Sequence, residues 1–436
     1  MNNNSLLIKK ITENNEVVGI IGLGYVGLPL AVSFAQANVK VIGFDKSQVK
    51  VDQINHGDNY IKDIRDAVLR EVVENIKLLA TTDFSKIKEC DALLICVPTP
   101  LDRFRKPDMS YIESACLAIG QNMKPRTFIS LESTTYPTTT EDFMLPIIER
   151  ESGLKHGNDF WLAYSPERVD PGNENFHTKN TPKVLGAITQ EGLEIGERIY
   201  SKAIDHLHLV SSPRVAEMVK ILENTYRLVN ISLINELALL SNKMGIDIWE
   251  VIEAAKTKPF GFQAFYPGPG IGGHCIPLDP FYLEHIAKRY DFDLSMIHAA
   301  GHINMRMPNY MYIKIATALN RHKKSVNGSK ILFLGVAYKP NIDDARESPA
   351  LHIIDLVVKK GGEVSYHDPY ITEVKTPDGN SFRSVELNKE TIQNADCVVI
   401  TTNHNVFKPE TIKAQSRLIV DLRNVIKDSS KNVFKL

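Results

Sequence analysis

Short, mostly apolar runs alternate with helical patterns over the N-terminal part of the chain. The runs lie at residues 17–21, 39–44, 91–97, 127–131 and 160–164. Apolar runs of this length, without regular polar alternation, are typical of strands buried on both faces of a parallel sheet. Residues 28–37, between the first two runs, have helical composition, with Pro29 in the first turn. The pattern predicts an open, doubly wound α/β sheet.

A long helical pattern occupies the middle of the chain. Residues 215–244 contain neither Gly nor Pro and end at Gly245, and Ser212 and Pro213 in front of them form a helix start signal. A second helix is predicted at residues 248–256. Because apolar positions cover much of its girth, the long helix is predicted to be buried, either centrally or in a subunit interface.

The order of the N-terminal strands recurs near the C-terminus. Apolar runs at residues 330–334, 363–368 and 396–402 repeat the order of the first three runs. The repeat predicts a second, degenerate Rossmann-type unit after a linker at residues 308–328. We therefore expect an α/β fold with two Rossmann-like doubly wound parallel-sheet domains joined by a central helical domain. The predicted domains are residues 1–211, 212–308 and 309–436.

Composition narrows the classes of protein that remain. The 436 residues are 43% hydrophobic and 24% charged, as in soluble globular proteins, and the net charge of −1 favours neither nucleic acid nor an anionic membrane. The N-terminus lacks a signal-peptide pattern, and no run of about 18 apolar residues occurs. Five cysteines without metal-site spacing fit a reducing compartment. These features predict a cytoplasmic protein without metal, membrane or nucleic-acid partners.

A dinucleotide fingerprint follows the first predicted strand. Gly22, Gly24 and Gly27 occupy the spacing that permits a tight turn, close approach of a pyrophosphate and close helix–strand packing. The helix N-terminus supplies amide donors for the phosphates. Asp45 ends the second strand, where a carboxylate binds the ribose hydroxyls and repels a 2′-phosphate. The sequence therefore predicts NAD rather than NADP.

Polar side chains also follow later strands of the predicted sheet. Thr134 comes after the run at 127–131, and Glu167 and Arg168 come after the run at 160–164. Ligands bind at the carboxyl ends of strands in open α/β sheets. Thr134 is either a ligand contact or a turn residue, and Glu167 with Arg168 either contacts substrate or forms a solvated pair.

Two further sets of polar residues are candidate site residues, one on the long helix and one in the C-terminal repeat. On the long helix, Glu217, Lys220 and Asn224 are spaced by three and four residues and share one face, so Lys220 has either a surface partner or a function. In the C-terminal repeat, Lys339 and Arg346 follow the first strand, where cationic side chains meet phosphate.

A glycine-rich loop contains the remaining candidate. Four glycines lie within residues 268–273, Cys275 follows, and Asp279 comes four residues later. Such a backbone approaches a ligand closely and presents a thiol beside a carboxylate, as covalent catalysis at a carbonyl requires. The alternative is a tight loop with a buried structural cysteine.

Together these motifs resemble the UDP-sugar 6-dehydrogenases of the UDP-glucose/GDP-mannose dehydrogenase family, and the resemblance covers nearly the whole chain. The motifs are Gly-Leu-Gly-Tyr-Val-Gly-Leu-Pro at 22–29, Ser-Pro-Glu-Arg at 165–168, Glu-Met-Val-Lys-Ile-Leu-Glu-Asn at 217–224, the loop to Cys275, and residues 338–349. The resemblance implies NAD-dependent oxidation of a primary alcohol to a carboxylate, and it favours Cys275 as a nucleophile.

The loop around the cysteine also indicates the branch of the family. Enzymes acting on UDP-glucose typically have Ser-Cys-Phe-x-Lys-Asp there, whereas residues 274–279 are His-Cys-Ile-Pro-Leu-Asp. This is similar to the N-acetylhexosamine branch, and most similar to bacterial UDP-N-acetylglucosamine 6-dehydrogenases of O-antigen pathways. Enzymes for UDP-N-acetylmannosamine and UDP-N-acetylgalactosamine are close competitors, and nothing in the residues separates the C2 or C4 epimers.

The resemblance implies a reaction with two NAD⁺ per sugar. Asp279 holds a water that takes the C6 hydroxyl proton, and Cys275 traps the aldehyde as a thiohemiacetal that is oxidised to a thioester. Lys220 and Asn224 donate to the C6 oxyanion, and Glu167, assisted by Thr134, activates the hydrolytic water. These six residues are the predicted catalytic set.

Binding residues are carried over in the same way. The implied cofactor contacts are Gly22, Gly24, Tyr25, Val26, Gly27, Asp45, Lys50, Thr99, Thr134 and Arg346, with Lys50 standing where the family often has arginine. The implied substrate contacts are Arg168, Val169, Lys220, Asn224, Arg227, Tyr266, Gly270, Gly272, Tyr338, Lys339 and Arg423. The expected partners are a UDP-N-acetylhexosamine and a second copy of the chain, in a homodimer or a higher homo-oligomer.

Two rival functions follow from the same residues. A nucleotide-sugar-binding regulator with this fold would lack catalysis, which the full set of Cys275, Lys220, Asn224 and Asp279 disfavours. A simple 3-hydroxyacid dehydrogenase has the same N-terminal domain, but it would need neither the cysteine loop nor the second Rossmann-like unit.

Overall fold

The computed structural model describes residues 3–61, 64–101, 106–170, 173, 175–273, 275–428 and 430–436. The chain forms two compact units. The N-terminal unit comprises the residues up to Glu223 together with Phe281–Asp291, and the C-terminal unit comprises Asn224–Pro280 and Phe292–Leu436. In the described part of the chain, no helix is both long enough and apolar enough to cross a membrane.

The N-terminal unit is built on one twisted sheet of eight strands. Its strands are β1 (Val17–Ile21), β2 (Lys40–Phe44), β3 (Leu78–Thr81), β4 (Ala92–Ile95), β5 (Thr127–Leu131), β6 (Phe160–Tyr164), β7 (Lys183–Ala187) and β8 (Leu207–Val210). Its helices are α1 (Asn3–Thr12), α2 (Gly27–Gln36), α3 (Gln48–Asn55), α4 (Asp66–Glu74), α5 (Ser110–Asn122), α6 (Leu145–Ser152) and α7 (Gln190–Tyr200).

The strand order of this sheet is β3-β2-β1-β4-β5-β6-β7-β8, and every pair is parallel except β6 with β7. The central strands are buried on both faces because helices pack on each side, which explains their continuously apolar sequences. The strand order reverses at β1, because β2 and β3 lie on one side of it and β4 lies on the other. The loops after β1 and β4 therefore meet at the carboxyl edge of the sheet, where α/β folds bind ligands.

Two helices are shared between the units. Helix α8 (Pro213–Met244) is 32 residues long, and the Ser212 hydroxyl accepts a hydrogen bond from the amide of Val215 at its start. Helix α10 (Asp279–Ala287) begins directly after the cysteine loop. The predicted long helix is thus present, two residues longer at its N-terminus than the Gly- and Pro-free stretch.

The C-terminal unit contains a five-stranded parallel sheet in the order β10-β9-β13-β14-β15 and a two-stranded hairpin of β11 with β12. Its strands are β9 (Lys330–Leu334), β10 (Glu363–His367), β11 (Glu373–Lys375), β12 (Ser381–Arg383), β13 (Cys397–Ile400), β14 (Ile419–Asp421) and β15 (Val433–Lys435). Its further helices are α9 (Ile248–Lys256), α11 (Ser295–Arg321), α12 (Pro349–Lys359), α13 (Lys389–Asn394) and α14 (Pro409–Gln415).

Equivalent hydrogen bonds confirm the predicted repeat. In the N-terminal unit the amide of Gly22 donates to the carbonyl of Phe44 at 2.7 Å, and in the C-terminal unit the amide of Gly335 donates to the carbonyl of His367 at 2.9 Å. Both glycines have positive φ, which favours residues without a side chain. The predicted α/β architecture, with two Rossmann-like sheets and a central helical region, is therefore confirmed.

Much of the predicted linker at residues 308–328 is helical. Helix α11 continues through Pro308 to Arg321, so the domain boundary predicted after residue 308 lies inside a helix. Met307 and Met311 flank the proline and are fully buried in the core of the C-terminal unit. Tertiary burial of this helix therefore outweighs the local cost of a proline in its interior.

Candidate functional site

The loop between β1 and α2 has the geometry of a dinucleotide cradle. Gly22 has a φ of +93°, and a Cβ on Gly27 would lie 1.8 Å from the carbonyl oxygen of Gly22, so neither position tolerates a side chain. A Cβ on Gly24 would meet no atom within 4 Å. Gly24 therefore faces open space that a pyrophosphate can fill. Tyr25 is exposed, and Val26 is the N-cap residue of α2.

Asp45 lies at the carboxyl end of β2, where the fingerprint predicts it. One carboxylate oxygen accepts the amide of Leu23 at 3.0 Å, and the other accepts the amide of Ser47 at 2.9 Å. The ammonium group of Lys50 lies 3.4 Å from the Asp45 carboxylate. An oriented carboxylate beside an open glycine turn fits the adenosine ribose of NAD, and Lys50 contacts this carboxylate directly.

Thr99 and Thr134 follow neighbouring strands of the same sheet. Both are half-buried, and the carbonyl of Thr99 accepts a hydrogen bond from the hydroxyl of Tyr282. The sheet thus places both residues on loops at its carboxyl edge.

The turn after Thr134 is held by a residue that sequence reasoning left without a role. Glu217 is fully buried, and its carboxylate accepts the amide of Thr138 at 2.7 Å, the amide of Thr140 at 2.9 Å and the hydroxyl of Thr140 at 2.7 Å. Burial raises the pKa of Glu217 to about 7. Thr138 has a φ of +86°, an unfavourable value for a β-branched residue. Glu217 therefore fixes a strained turn beside a candidate catalytic loop.

The segment at residues 165–169 is anchored at nearly every residue. The ammonium group of Lys220 donates to the carbonyl of Glu167 at 2.6 Å. The Arg168 guanidinium contacts Glu223 at 2.6 Å and the carbonyl of Pro182 at 2.7 Å. One oxygen of the Glu167 carboxylate accepts the amides of Arg168, at 2.9 Å, and Val169, at 2.8 Å. The structure thus brings Glu167 and Lys220 together. The Arg168 guanidinium forms its ion pair with Glu223 rather than with the neighbouring Glu167.

In the C-terminal unit, each glycine of the loop at residues 268–273 packs against another element. Cβ atoms on Gly272 and Gly273 would lie 2.7 Å and 2.8 Å from the side chain of Tyr338. A Cβ on Gly270 would lie 3.2 Å from Pro349, and one on Gly268 would lie 2.5 Å from the Arg423 guanidinium. The glycines are therefore required because the loop lies directly against the C-terminal repeat.

Cys275 differs from the other cysteines in its exposure. It is exposed, whereas Cys90, Cys96, Cys116 and Cys397 are buried, and none of the five forms a disulfide. Burial raises the pKa of Cys90 and Cys116 to about 12, and it also raises the pKa of Cys96 and Cys397. Those four thiols are therefore poor nucleophiles at neutral pH. His274, which precedes Cys275, lies outside the described residues.

Asp279, which follows Cys275 closely in the chain, forms a buried pair with Asn224 of helix α8. The amide of Asp279 donates to the carbonyl of Cys275 at 2.8 Å. The side-chain amide of Asn224 donates to the Asp279 carboxylate at 2.5 Å. Three of the predicted catalytic residues are thus linked within the C-terminal unit.

A cavity of about 660 Å³ in the C-terminal unit includes two of the predicted substrate contacts, Tyr266 and Arg423. The ring of Tyr266 stacks on Trp249 with centroids 6.1 Å apart, and its hydroxyl donates to Glu253 at 2.8 Å. Burial lowers the pKa of Arg423 to about 10, so its guanidinium stays charged at neutral pH. The cavity therefore combines an aromatic face with a fixed positive charge.

The remaining predicted contacts are more scattered. Lys339 is half-buried on the loop after β9, and Arg227 is exposed on α8. The Arg346 guanidinium donates three hydrogen bonds to Asp344, of 2.8 Å, 2.9 Å and 2.5 Å. The charge of Arg346 is thus partly compensated within its own loop.

The acid of the C-terminal repeat has a different environment from Asp45. Asp368 follows β10 and accepts the amides of Val336, at 2.7 Å, and Ala337, at 3.1 Å. Nε2 of the fully buried His404 lies 3.1 Å from the same carboxylate, and Nδ1 of His404 accepts the amide of Asn341 at 2.9 Å. Asp368 therefore holds loops together where its counterpart Asp45 fits a ribose.

Three family models match the chain in order. They describe the NAD binding domain of the UDP-glucose/GDP-mannose dehydrogenase family at residues 16–204, its central domain at residues 214–306 and its UDP binding domain at residues 332–428.

Characterised relatives are similar over nearly their full length. The chain is 35% identical over 417 residues to the UDP-N-acetyl-D-mannosamine dehydrogenase of Pyrococcus horikoshii, which covers 94% of this chain and 96% of the relative. It is 34% identical over 403 residues to the UDP-N-acetyl-D-glucosamine 6-dehydrogenase of Pseudomonas aeruginosa, with 90% and 91% covered.

A solved structure agrees with the sequence comparison. The solved structure of the UDP-D-ManNAc dehydrogenase from Pyrococcus horikoshii superimposes with a TM-score of 0.87 at 33% identity, covering 96% of this chain and 98% of that one. The family match, the glycine turn with Asp45 and the predicted cofactor agree with one another. The chain belongs to the UDP-glucose/GDP-mannose dehydrogenase family of NAD-dependent oxidoreductases.

Proposed function

We propose that this protein is a UDP-N-acetylglucosamine 6-dehydrogenase, which oxidises the C6 alcohol of the sugar to a carboxylate through a thioester on Cys275. The observation that supports it most is the exposed Cys275 on a glycine loop, followed by Asp279 hydrogen-bonded to Asn224. Alternatives are the same reaction on UDP-N-acetylgalactosamine or UDP-N-acetylmannosamine. A non-catalytic nucleotide-sugar-binding protein is disfavoured because the two relatives compared above are named as dehydrogenases.

Each catalytic role follows from the chemistry of its side chain. NAD accepts the electrons of both oxidations when it is bound at the glycine turn. Asp279 holds the water that takes the C6 hydroxyl proton, and Cys275 attacks the aldehyde carbon to form a thiohemiacetal. Lys220 and Asn224 donate hydrogen bonds to the C6 oxygen as negative charge develops on it. Glu167, assisted by Thr134, activates the water that hydrolyses the thioester.

The nucleotide half of the substrate is assigned to the C-terminal unit. The aromatic face of Tyr266 and the charge of Arg423 suit a nucleoside diphosphate, and Lys339 provides a further cation on the loop after β9. The match to a UDP binding domain at residues 332–428 supports this assignment. We further propose that the acid product enters bacterial surface polysaccharide, such as O-antigen, in the cytoplasm.

The substrate assignment predicts the order of specificity constants in a panel of nucleotide sugars. With NAD in excess, kcat/KM should be highest for UDP-N-acetylglucosamine, lower for the N-acetylgalactosamine and N-acetylmannosamine epimers, and lowest for UDP-glucose. A lost or displaced polar contact is worth about 1–3 kcal/mol, which corresponds to roughly 5- to 150-fold in kcat/KM. The measurement is NADH absorbance, with two NADH formed per sugar. A higher kcat/KM for either epimer would contradict the N-acetylglucosamine assignment.

We also propose a homodimer formed across helix α8. Within the C-terminal unit, one face of this helix presents Tyr226, Leu233, Leu237, Leu240 and Met244, whose side chains are 39–62% exposed. Their spacing places them on one stripe, and a contiguous exposed apolar stripe favours association with a second copy. Sedimentation at micromolar concentration should give twice the chain mass of 48.9 kDa, and Leu237→Glu should shift it towards monomer. Monomer alone in the wild-type protein would contradict the dimer.

A further inference from the structure

Three buried polar side chains lie beside the segment of Glu167 and have no role in the proposed reaction. Glu132 follows β5, Lys183 begins β7 and Tyr200 ends α7. Lys183 is 5% exposed, Glu132 is 2% exposed and Tyr200 is fully buried. Lysine and glutamate are almost never buried to this degree unless they are paired.

The Lys183 ammonium group has three acceptors around it, matching its three N–H donors. It donates to the Glu132 carboxylate at 2.5 Å and to the carbonyl of Pro166 at 3.2 Å. It also lies 3.7 Å from an oxygen of the Glu167 carboxylate. The Tyr200 hydroxyl donates to the second oxygen of Glu132, which keeps that carboxylate directed at Lys183.

Glu167 is thereby held at both oxygens. One oxygen accepts the backbone amides of Arg168 and Val169, and the other faces Lys183. Because Lys183 also contacts the carbonyl of Pro166, it fixes the backbone just before Glu167 as well as the carboxylate itself. Lys183 therefore contacts both the carboxylate of Glu167 and the backbone just before it.

The charges in this cluster depend on one another. Burial alone would lower the pKa of Lys183, but the neighbouring carboxylates of Glu132 and Glu167 raise it overall. Burial raises the pKa of Glu132, and Lys183 opposes that rise. Removing the ammonium group would leave two carboxylates facing each other without a counter-charge, and Glu167 would turn away or become protonated.

We propose that Lys183, held by Glu132 and Tyr200, is a positioning residue for Glu167 and so controls hydrolysis of the thioester. In that step water adds to the thioester carbon, Glu167 takes one proton from the water, and the carbon–sulfur bond breaks to release the carboxylic acid and the Cys275 thiolate. The acid then loses its proton to solvent and becomes the carboxylate. The inference rests on the proposed function. It assigns Lys183 to thioester hydrolysis alone, so loss of Lys183 should slow hydrolysis without stopping the two oxidations.

The test is Lys183→Met, with the covalent state of the protein measured as well as its rate. After mixing with NAD and UDP-N-acetylglucosamine, we expect a burst of two NADH per chain followed by a steady state about 10- to 100-fold slower than wild type. This is less than the roughly 10²- to 10⁴-fold effect of losing a general base, because Glu167 itself is still present. Intact-protein mass spectra of quenched samples should show Cys275 acylated in most chains. kcat/KM for the sugar should change less than about threefold, because it reports the steps before hydrolysis and Lys183 contacts no predicted substrate-binding side chain. KM itself should fall together with kcat as acylated protein accumulates.

The matched control is Lys202→Met. Lys202 also pairs with a buried carboxylate of the same unit, at 2.8 Å from Glu16, but it contacts no residue of the segment at 165–169. Lys202→Met should lower the melting temperature of the protein, but acylated protein should not accumulate. Lys183→Arg, which retains the charge, should recover part of the hydrolysis rate.

Further variants make every outcome decisive. If Lys183→Met does not fold, the double variant Glu132→Gln/Lys183→Met is tested instead. The double variant lacks one of the two carboxylates that the single variant leaves without a counter-charge. Normal hydrolysis in either variant would overturn the inference, since Lys183 would then merely balance Glu132. If Glu167→Gln acylates and Lys183→Met does not, the inference fails and the proposed function stands. If Glu167→Gln hydrolyses at the wild-type rate, the role of Glu167 itself is wrong.

Discussion

Cys275→Ala is expected to abolish formation of the carboxylate while binding of NAD and nucleotide sugar stays close to wild type. Without a sulfur nucleophile the aldehyde cannot be converted to a thiohemiacetal, and the second oxidation loses its substrate. Loss of a catalytic nucleophile typically lowers kcat by on the order of 10⁴-fold or more. The measurements are acid product by mass spectrometry and binding of both ligands by calorimetry.

The matched control for this variant is Cys116→Ala. Cys116 is buried in α5, and burial raises the pKa of its thiol to about 12, so it should not react. Its removal should leave kcat unchanged within about twofold, at a modest cost in stability. Acid formation by Cys275→Ala or Cys275→Ser at the wild-type rate would exclude covalent catalysis at this residue.

Lys220→Met is expected to lower kcat by about 10²- to 10³-fold, which corresponds to the roughly 2.7–4 kcal/mol measured for loss of one oxyanion donor. The proposed role is donation to the C6 oxygen, which strengthens as negative charge develops, so the loss should fall on kcat more than on KM. Lys220 also donates to the carbonyl of Glu167, so its removal loosens the segment at residues 165–169. Steady-state kinetics with NADH absorbance gives both constants.

A second lysine of the same helix provides the control. Lys243 lies in the last turn of α8 and is exposed, so Lys243→Met should leave both kcat and KM unchanged. Unfolding monitored by circular dichroism separates a folding defect from a catalytic one. A Lys220→Met protein that folds normally and retains the wild-type kcat would contradict the oxyanion role.

The strands of the two sheets were largely predictable because their sequence signal is local. Strands β1, β5, β6 and β9 begin and end where the apolar runs predict, since each run is bounded by polar or glycine residues. Strands β3, β7, β8, β14 and β15 were not predicted. Strand β8 is partly exposed along its length, and β7 pairs antiparallel with β6, so neither follows the pattern of a buried parallel strand.

The candidate site was predictable where its residues lie within motifs. The glycine turn with Asp45, and Cys275 with Asp279, are short segments whose residue types have a direct chemical meaning. Glu132 and Lys183 were missed because they are 51 residues apart in the chain, and only the pairing of β5, β6 and β7 brings them together. A buried lysine at the start of a strand was the one local signal available.

The different environments of Asp45 and Asp368 bear on where the adenosine ribose of NAD can bind. Asp45 and Asp368 both accept backbone amides, but Asp368 is buried and also contacts the buried His404. Its carboxylate is therefore not accessible to a second adenosine ribose. Under the proposed mechanism, the two oxidations at one sugar then share the cradle beside Asp45. In that mechanism Cys275 would be a tether as well as a nucleophile, since the covalent bond would retain the half-oxidised sugar while NADH is exchanged for NAD.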